Sequence, residues 1–159
     1  MKKVALCALC LAAGLTMAQA AEVAPGEVER DEYGFVPKPL TETPGDPAEG
    51  RKVVGGKSLG NCVSCHAIGE MARDVPFHGE VGPELDGVAG RYPEAMIRGI
   101  VTNSKNVFEG TVMPAYYKVD GFVRPGEGFS GKPVEGEVEP LLTAQQVEDV
   151  VAYLMTLKD

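Results

Sequence analysis

Cys62-Val63-Ser64-Cys65-His66 is the stretch from which the fold of this chain can be read. Two thiols three residues apart, with an imidazole directly after the second, have the spacing of a c-type haem attachment site. On one helical turn, positions i, i+3 and i+4 face the same side. Cys62, Cys65 and His66 can therefore present both sulfurs to the vinyl groups of one porphyrin edge and leave the imidazole over the iron as its proximal ligand. A thiol–disulfide pair and half of a zinc site are the competing readings. A thioredoxin-like pair belongs beside a βαβ pattern, and no such run of β-branched strands is present. A zinc site wants four Cys or His ligands, and beyond residue 20 only His78 remains to offer another.

Upstream, Met1 to Ala20 reads as an export signal. Lys2 and Lys3 form its positive start, Val4 to Leu15 its apolar run, and Ala18-Gln19-Ala20 a small-x-small cleavage site, so the mature chain is expected to begin at Ala21, in the periplasm. The apolar run is too short for a membrane span of about 20 residues, and no membrane anchor is expected. Cys7 and Cys10 leave with the signal, so the cofactor uses every remaining cysteine. Losing Lys2 and Lys3 takes the 15 basic residues to 13 against 23 acidic ones, a net −10. That balance argues against nucleic acid, whose phosphates want a basic face, and against anionic lipid surfaces.

Residues 21–45 are rich in Pro, Gly and Glu and carry no clean period, which predicts an irregular or extended acidic arm. Two readings stand for it. One is a disordered leader; the other is an arm that packs on a partner through Tyr33, Phe35, Val36 and Leu40. The domain proper is expected over 46–159. Asp46-Pro47-Ala48-Glu49 offers an N-cap, a proline at the first helical position and an acid at the third, the makings of a capping box. That helix should end at Gly55-Gly56, and Gly50 inside it costs about 1 kcal/mol against alanine. Such a glycine makes sense where another helix crosses closely.

Downstream of the haem segment, Pro93 to Val101 reads as a short helix with Met96, Ile97 and Ile100 inward. The connection 115–142 is long for a compact domain, hence functional or mobile. Tyr116, Tyr117, Phe122 and Phe129 in it are candidates to cover the haem edge or to form a partner surface. The last helix is the clearest: Thr143-Ala144-Gln145-Gln146 is a capping box, with Val147, Val150, Val151 and Leu154 at helical spacing.

With Gly82-Pro83-Glu84-Leu85-Asp86-Gly87 following the CxxCH, the chain resembles the class I c-type cytochromes. The resemblance implies an all-α class I cytochrome c fold, a small helical domain wrapped round one haem with its first and last helices crossing. In that family the crossing sets a glycine against an aromatic, which would be Gly50 and Tyr153. The resemblance also gives Pro83 the carbonyl that accepts from the proximal imidazole, and Arg91 a contact to a haem propionate. A fixed carbonyl of that kind orients the ligand and strengthens its donation.

For the sixth ligand, Met71 follows His66 too closely to reach the opposite face, while Met96 and Met155 sit on apolar helix faces where methionine usually packs. Met113 lies in a loop before Pro114, which keeps the residue ahead of it out of the helical region. Class I cytochromes commonly supply their methionine in this way. Met113 is the expected ligand; His78, water or an open site are the alternatives.

Ser58 to Cys62, Gly110 to Tyr117 and Leu142 to Leu154 together resemble the SoxX family, monohaem subunits of the SoxAX complex of bacterial sulfur oxidation. The resemblance spans Asp46 to Lys158. It implies one covalent haem c and an electron-accepting role with no catalytic residue on this chain. It also implies a larger SoxA-like c-type cytochrome subunit, a SoxYZ-like carrier whose cysteine is oxidatively joined to thiosulfate, and a soluble electron-acceptor cytochrome. A free-standing carrier of the same fold, and a ligand-binding or peroxide-reactive haem protein, are the other readings.

Overall fold

The computed structural model describes residues 21–123, 125–126 and 130–158. The expected signal at 1–20, with its cleavage site, and Phe129 lie outside the described residues. Among the described residues four helices follow in order: α1 Pro47–Gly55, α2 Val88–Arg91, α3 Glu94–Asn103 and α4 Ala144–Leu154. Short 3-10 turns occupy Pro25–Glu27, Cys62–Ser64, Gly69–Met71 and Ser104–Asn106. Among the described residues the only β pairing is one isolated bridge, Gly126 to Pro133. The expected all-α class holds.

The most extensive packing joins α1 to α4, with α3 laid against α4 as well. Val53 and Val54 of α1, Ile97 and Val101 of α3, and Val147, Val150, Val151 and Leu154 of α4 are all buried in the common core. Gly50 sits where α1 crosses α4. A Cβ there would land on the Asp149 carbonyl and within 2.8 Å of Tyr153 Cβ, so the crossing tolerates no side chain. This is the expected pairing of Gly50 with Tyr153, whose hydroxyl goes on to donate to Glu70 Oε1 at 2.7 Å.

The two helix caps differ. At α4 the box is complete: Gln146 N–H donates to Thr143 Oγ1 at 3.2 Å, and Thr143 N–H to Gln146 Oε1 at 2.9 Å. At α1 only half of the expected box forms. Asp46 Oδ1 accepts from Ala48 N–H at 2.8 Å, but the Asp46 N–H donates to Asp149 Oδ1, also at 2.8 Å. Glu49 pairs with Lys52 instead, at 2.5 Å. The carboxylate that α4 carries to the crossing is buried and already in place, so it displaces the exposed local acid.

Residues 21–45 are irregular, as expected, but neither reading of the arm describes them. Val28, Val36 and Leu40 are buried in the domain's own core. Val36 N–H donates to Ala95 O at 2.9 Å, and Tyr117 Oη donates to Val23 O at 2.8 Å. Of the four residues read as partner contacts, Val36 and Leu40 are spent internally, Phe35 is half-buried and Tyr33 alone stays well exposed. The apolar density that suggested a partner serves the arm's own strap.

A buried ion pair fastens that strap. Arg98 on α3 is 3% exposed and Glu148 on α4 is 4% exposed. Arg98 Nε donates to both Glu148 oxygens, at 2.9 and 3.1 Å, and Nη2 adds a bond to Oε2 at 3.0 Å. Each partner also holds the arm's backbone: Leu40 N–H donates to Glu148 Oε1 at 2.9 Å, and Arg98 Nη1 to Val36 O at 3.1 Å. Glu94, one helical turn before Arg98, caps the far side of the guanidinium.

The long connection is closed at its base, where Leu142 N–H donates to Tyr116 O at 3.0 Å. Tyr116 and Tyr117 are buried rather than displayed. Phe122 is exposed, with Lys118 Nζ 5.3 Å above its ring.

Candidate haem site

The 3-10 turn Cys62–Ser64 gives the motif its local shape. Cys65 N–H and His66 N–H both donate to Cys62 O at 3.0 Å, so the turn is tighter than the α-turn expected yet keeps Cys62, Cys65 and His66 on one side. Asn61 enters the turn in the left-handed region, at φ 47°, where asparagine is one of the few tolerated side chains. Neither thiol is in a disulfide. Burial pushes the Cys62 thiol up to about 11. An exchange-active pair needs a lowered thiol pKa, so the thioredoxin-like reading finds no support here.

The segment after the motif folds back along it. Gly79 N–H donates to Val63 O at 2.9 Å, Gly82 N–H to Cys65 O at 2.8 Å and Leu85 N–H to Ala67 O at 3.0 Å. This register lays Pro83 beside the imidazole, and His66 Nδ1 donates to the Pro83 carbonyl at 2.6 Å. A carbonyl can only accept, so the proton is on Nδ1 and Nε2 keeps its lone pair free for a metal. Gly82 is forced by the same approach. A Cβ there would meet Cε1 first and lie 2.6 Å from Nδ1 and 2.7 Å from Nε2, closer than the ring can accept.

Cys62, Cys65 and His66 line a cavity of about 320 Å³ with Pro83, Met113 and Tyr116. Leu85, Val88, Ile97, Ile100, Phe108 and Val112 make its other walls predominantly apolar. Among the described methionines only Met113 reaches this cavity. Met71 is buried in the helical core, and Met155 packs against that core from outside the cavity. His78 is exposed, with its Nδ1 3.4 Å from its neighbour's carbonyl, and does not line the cavity. The donor set is thus one imidazole nitrogen with its lone pair free, one thioether and two unpaired thiols, in an apolar cleft. These donors fit a covalently attached haem: two thioether anchors and a nitrogen–sulfur axial pair.

Arg91, to which the resemblance gives a propionate contact, has partners in its own loop. Its guanidinium donates to Asp86 O at 2.6 Å and Glu84 O at 2.7 Å, fastening the loop that carries Pro83, and it stands outside the cavity lining. Tyr116, read from the sequence as a candidate haem-edge cover or partner contact, lines the cavity. Its hydroxyl donates to Gly60 O at 2.9 Å, joining the Met113 segment to the chain just ahead of Cys62. Burial raises its pKa well beyond the ordinary tyrosine range, so the hydroxyl keeps its proton as a fixed donor. A tyrosine three residues after a loop methionine was the available signal.

Comparison with known proteins agrees with this geometry. The family model described as Cytochrome c matches residues 47–158. A chain of the crystal structure of SoxXA from P. pantotrophus is 56% identical, over 87% of this chain and 99% of that one, with a TM-score of 0.81. The c-type cytochrome SorU from Sinorhizobium meliloti is 24% identical, over 70% of this chain and 90% of that one, with a TM-score of 0.42. Curated protein sequences yield no match.

Proposed function

Because the chain belongs to the cytochrome c family, we propose that it is the electron-accepting monohaem subunit of a SoxAX-type complex, exported to the periplasm with its signal removed after Ala20. The observation that carries the electron-transfer reading is the single cavity shared by Cys62, Cys65, His66 and Met113. The likeness to a chain of SoxXA over nearly the whole length of both supports the choice of complex. Among the described residues no helix is long and apolar enough to cross a membrane.

Bound haem c supplies a reversible one-electron couple at its iron. Cys62 and Cys65 would hold it as thioethers, and His66 Nε2 would donate to its iron. The Pro83 carbonyl accepts a hydrogen bond from Nδ1–H and would make that donor stronger. Met113 would supply the second iron ligand in this proposal; a soft thioether raises the potential of such a couple. The apolar walls of the cavity would keep water from the iron. Arg91 holds the Pro83 loop through Glu84 and Asp86; the propionate contact assigned to it would use its remaining N–H groups. In the complex, electrons released when thiosulfate is joined to a SoxYZ-like carrier cysteine would pass from the SoxA-like subunit to this chain. A soluble acceptor cytochrome would then collect them.

Two measurements test this. Affinity purification of the tagged chain from its source cell should bring down a larger c-type subunit in equal amount; recovery alone would favour the free-standing carrier. Replacing Met113 with alanine should convert a ferrous protein that ignores carbon monoxide into one that binds it readily. A wild-type protein that already binds the gas would favour the ligand-binding reading instead.

A further inference from the structure

Nothing in the family's motif explains the backbone of Met113. The residue is only half-buried, and the chain leading to it is loose: Glu109, Gly110 and Val112 are exposed, Val112 at 81%. Yet both peptide groups of Met113 are engaged. Its N–H donates to Thr111 Oγ1 at 3.3 Å. Its carbonyl accepts twice, from Ser104 Oγ at 2.9 Å and from Lys105 Nζ at 2.6 Å. A carbonyl oxygen has two lone pairs, and here both are taken by consecutive residues of one 3-10 turn.

That turn, Ser104–Asn106, directly follows α3, and Ser104 is fully buried. The chain after Met113 is stitched to the same helix end, Tyr116 N–H to Val101 O at 3.3 Å and Tyr117 N–H to Thr102 O at 3.0 Å. Carbonyls at a helix C-terminus lack partners within the helix, so the returning segment satisfies them. Pro114, between the two sets of bonds, fixes its own φ. The Met113 Cα is therefore located from α3 through its own carbonyl on one side and through Tyr116 and Tyr117 on the other. Of the 109–112 stretch, only Thr111 adds to that placement, through its bond from Met113 N–H.

We propose that Ser104 and Lys105 are positioning residues for the Met113 thioether: their paired bonds to its carbonyl hold the sulfur at the cavity and so decide how often the distal site stands open. The proposal rests on Met113 being the sixth ligand. A thioether binds metal weakly, so its occupancy depends on how little conformational freedom it must lose to reach the site. Losing the buried Ser104 bond removes roughly 1.4 kcal/mol from the closed state, a tenfold change in an equilibrium. Lys105 is exposed, and its share should be smaller.

The test compares holoprotein variants by two readouts: the sulfur-to-iron charge-transfer absorption of the ferric form, and carbon monoxide uptake by the ferrous form at limiting gas. Ser104→Ala should weaken the absorption and raise uptake about tenfold. Lys105→Met should raise uptake about threefold, and Lys105→Arg should stay near wild type. Thr41→Val, which loses bonds from a buried hydroxyl to Thr43 O and Gln145 Oε1 away from the cavity, should lower thermal stability and leave both readouts unchanged. Should Ser104→Ala fail to accumulate, Lys105→Met decides, because its side chain lies on the surface.

Wild-type readouts in both variants, with Met113→Ala wide open, would overturn the positioning role and leave the ligand assignment standing. An unchanged axial spectrum in Met113→Ala would remove the ligand assignment, and this proposal with it. Equal opening in Thr41→Val would mean general loosening, which also overturns it.

Discussion

Valine at position 50 should abolish accumulation of native holoprotein. The new Cβ would coincide with the Asp149 carbonyl and crowd Tyr153 Cβ at 2.8 Å, and the first of these is backbone that cannot rotate aside. Relief requires α1 and α4 to separate, but the Asp46–Asp149 bond and the buried faces of Val53, Val54, Val150 and Val151 hold them together. Ordinary overpacking costs about 1–3 kcal/mol. Forcing apart the crossing that organises the core belongs to the rarer class above about 4 kcal/mol. Haem-stained yield from matched cultures is the measurement. Gly50→Ala places the same Cβ against the Asp149 carbonyl and should itself lose most of the native holoprotein. A normal yield of spectrally native Gly50→Val protein would mean that the crossing is far softer than its geometry.

Removing the Glu148 carboxylate should be the largest loss available without touching the crossing or the haem segment. Glu148→Ala leaves the buried Arg98 guanidinium with only the exposed Glu94 carboxylate and Val36 O as partners, and Leu40 N–H without an acceptor. Breaking one side of a buried pair costs about 3–5 kcal/mol. For a domain of this size each kcal/mol moves the melting temperature by roughly 2–4 °C, so a fall of about 10 °C or more is expected by calorimetry. Buried pairs can often be replaced by apolar residues at little cost. Here that exchange should fail. Arg98→Met with Glu148→Leu removes the charges but orphans Leu40 N–H and Val36 O, at about 1–3 kcal/mol each. The double variant should therefore stay destabilised and become sensitive to protease within 21–45. Wild-type stability and protease resistance in the double variant would show that the arm holds without the pair.

What could be read in the sequence was what is local. The CxxCH spacing carries its own geometry, and the α4 box is closed by residues three apart. Gly50 betrayed itself by its cost within a helix. What could not be read was decided across the chain. The α1 box was half wrong because its acceptor, Asp149, lies 103 residues away. The apolar residues of the arm are the same whether they bury against a partner or against their own helices; only the placement of Ala95 and Glu148 distinguishes the two. Ser104 and Tyr116 resemble any serine or tyrosine until the chain returns along α3. For Arg91, the neighbouring carbonyls of its own loop are close enough to take the guanidinium first.

The strap has a consequence for the order of events during synthesis. Leu40 is secured by a carboxylate 108 residues later, and α1 is closed by the same final helix. Contacts that far apart make folding slow, since the intervening chain must first be brought together. A chain made from its N-terminus cannot complete this core until α4 has emerged. Until α4 docks, Leu40 N–H and the crossing face of α1 both lack their partners, so the arm and the first helix are expected to order together with α4 and not before it.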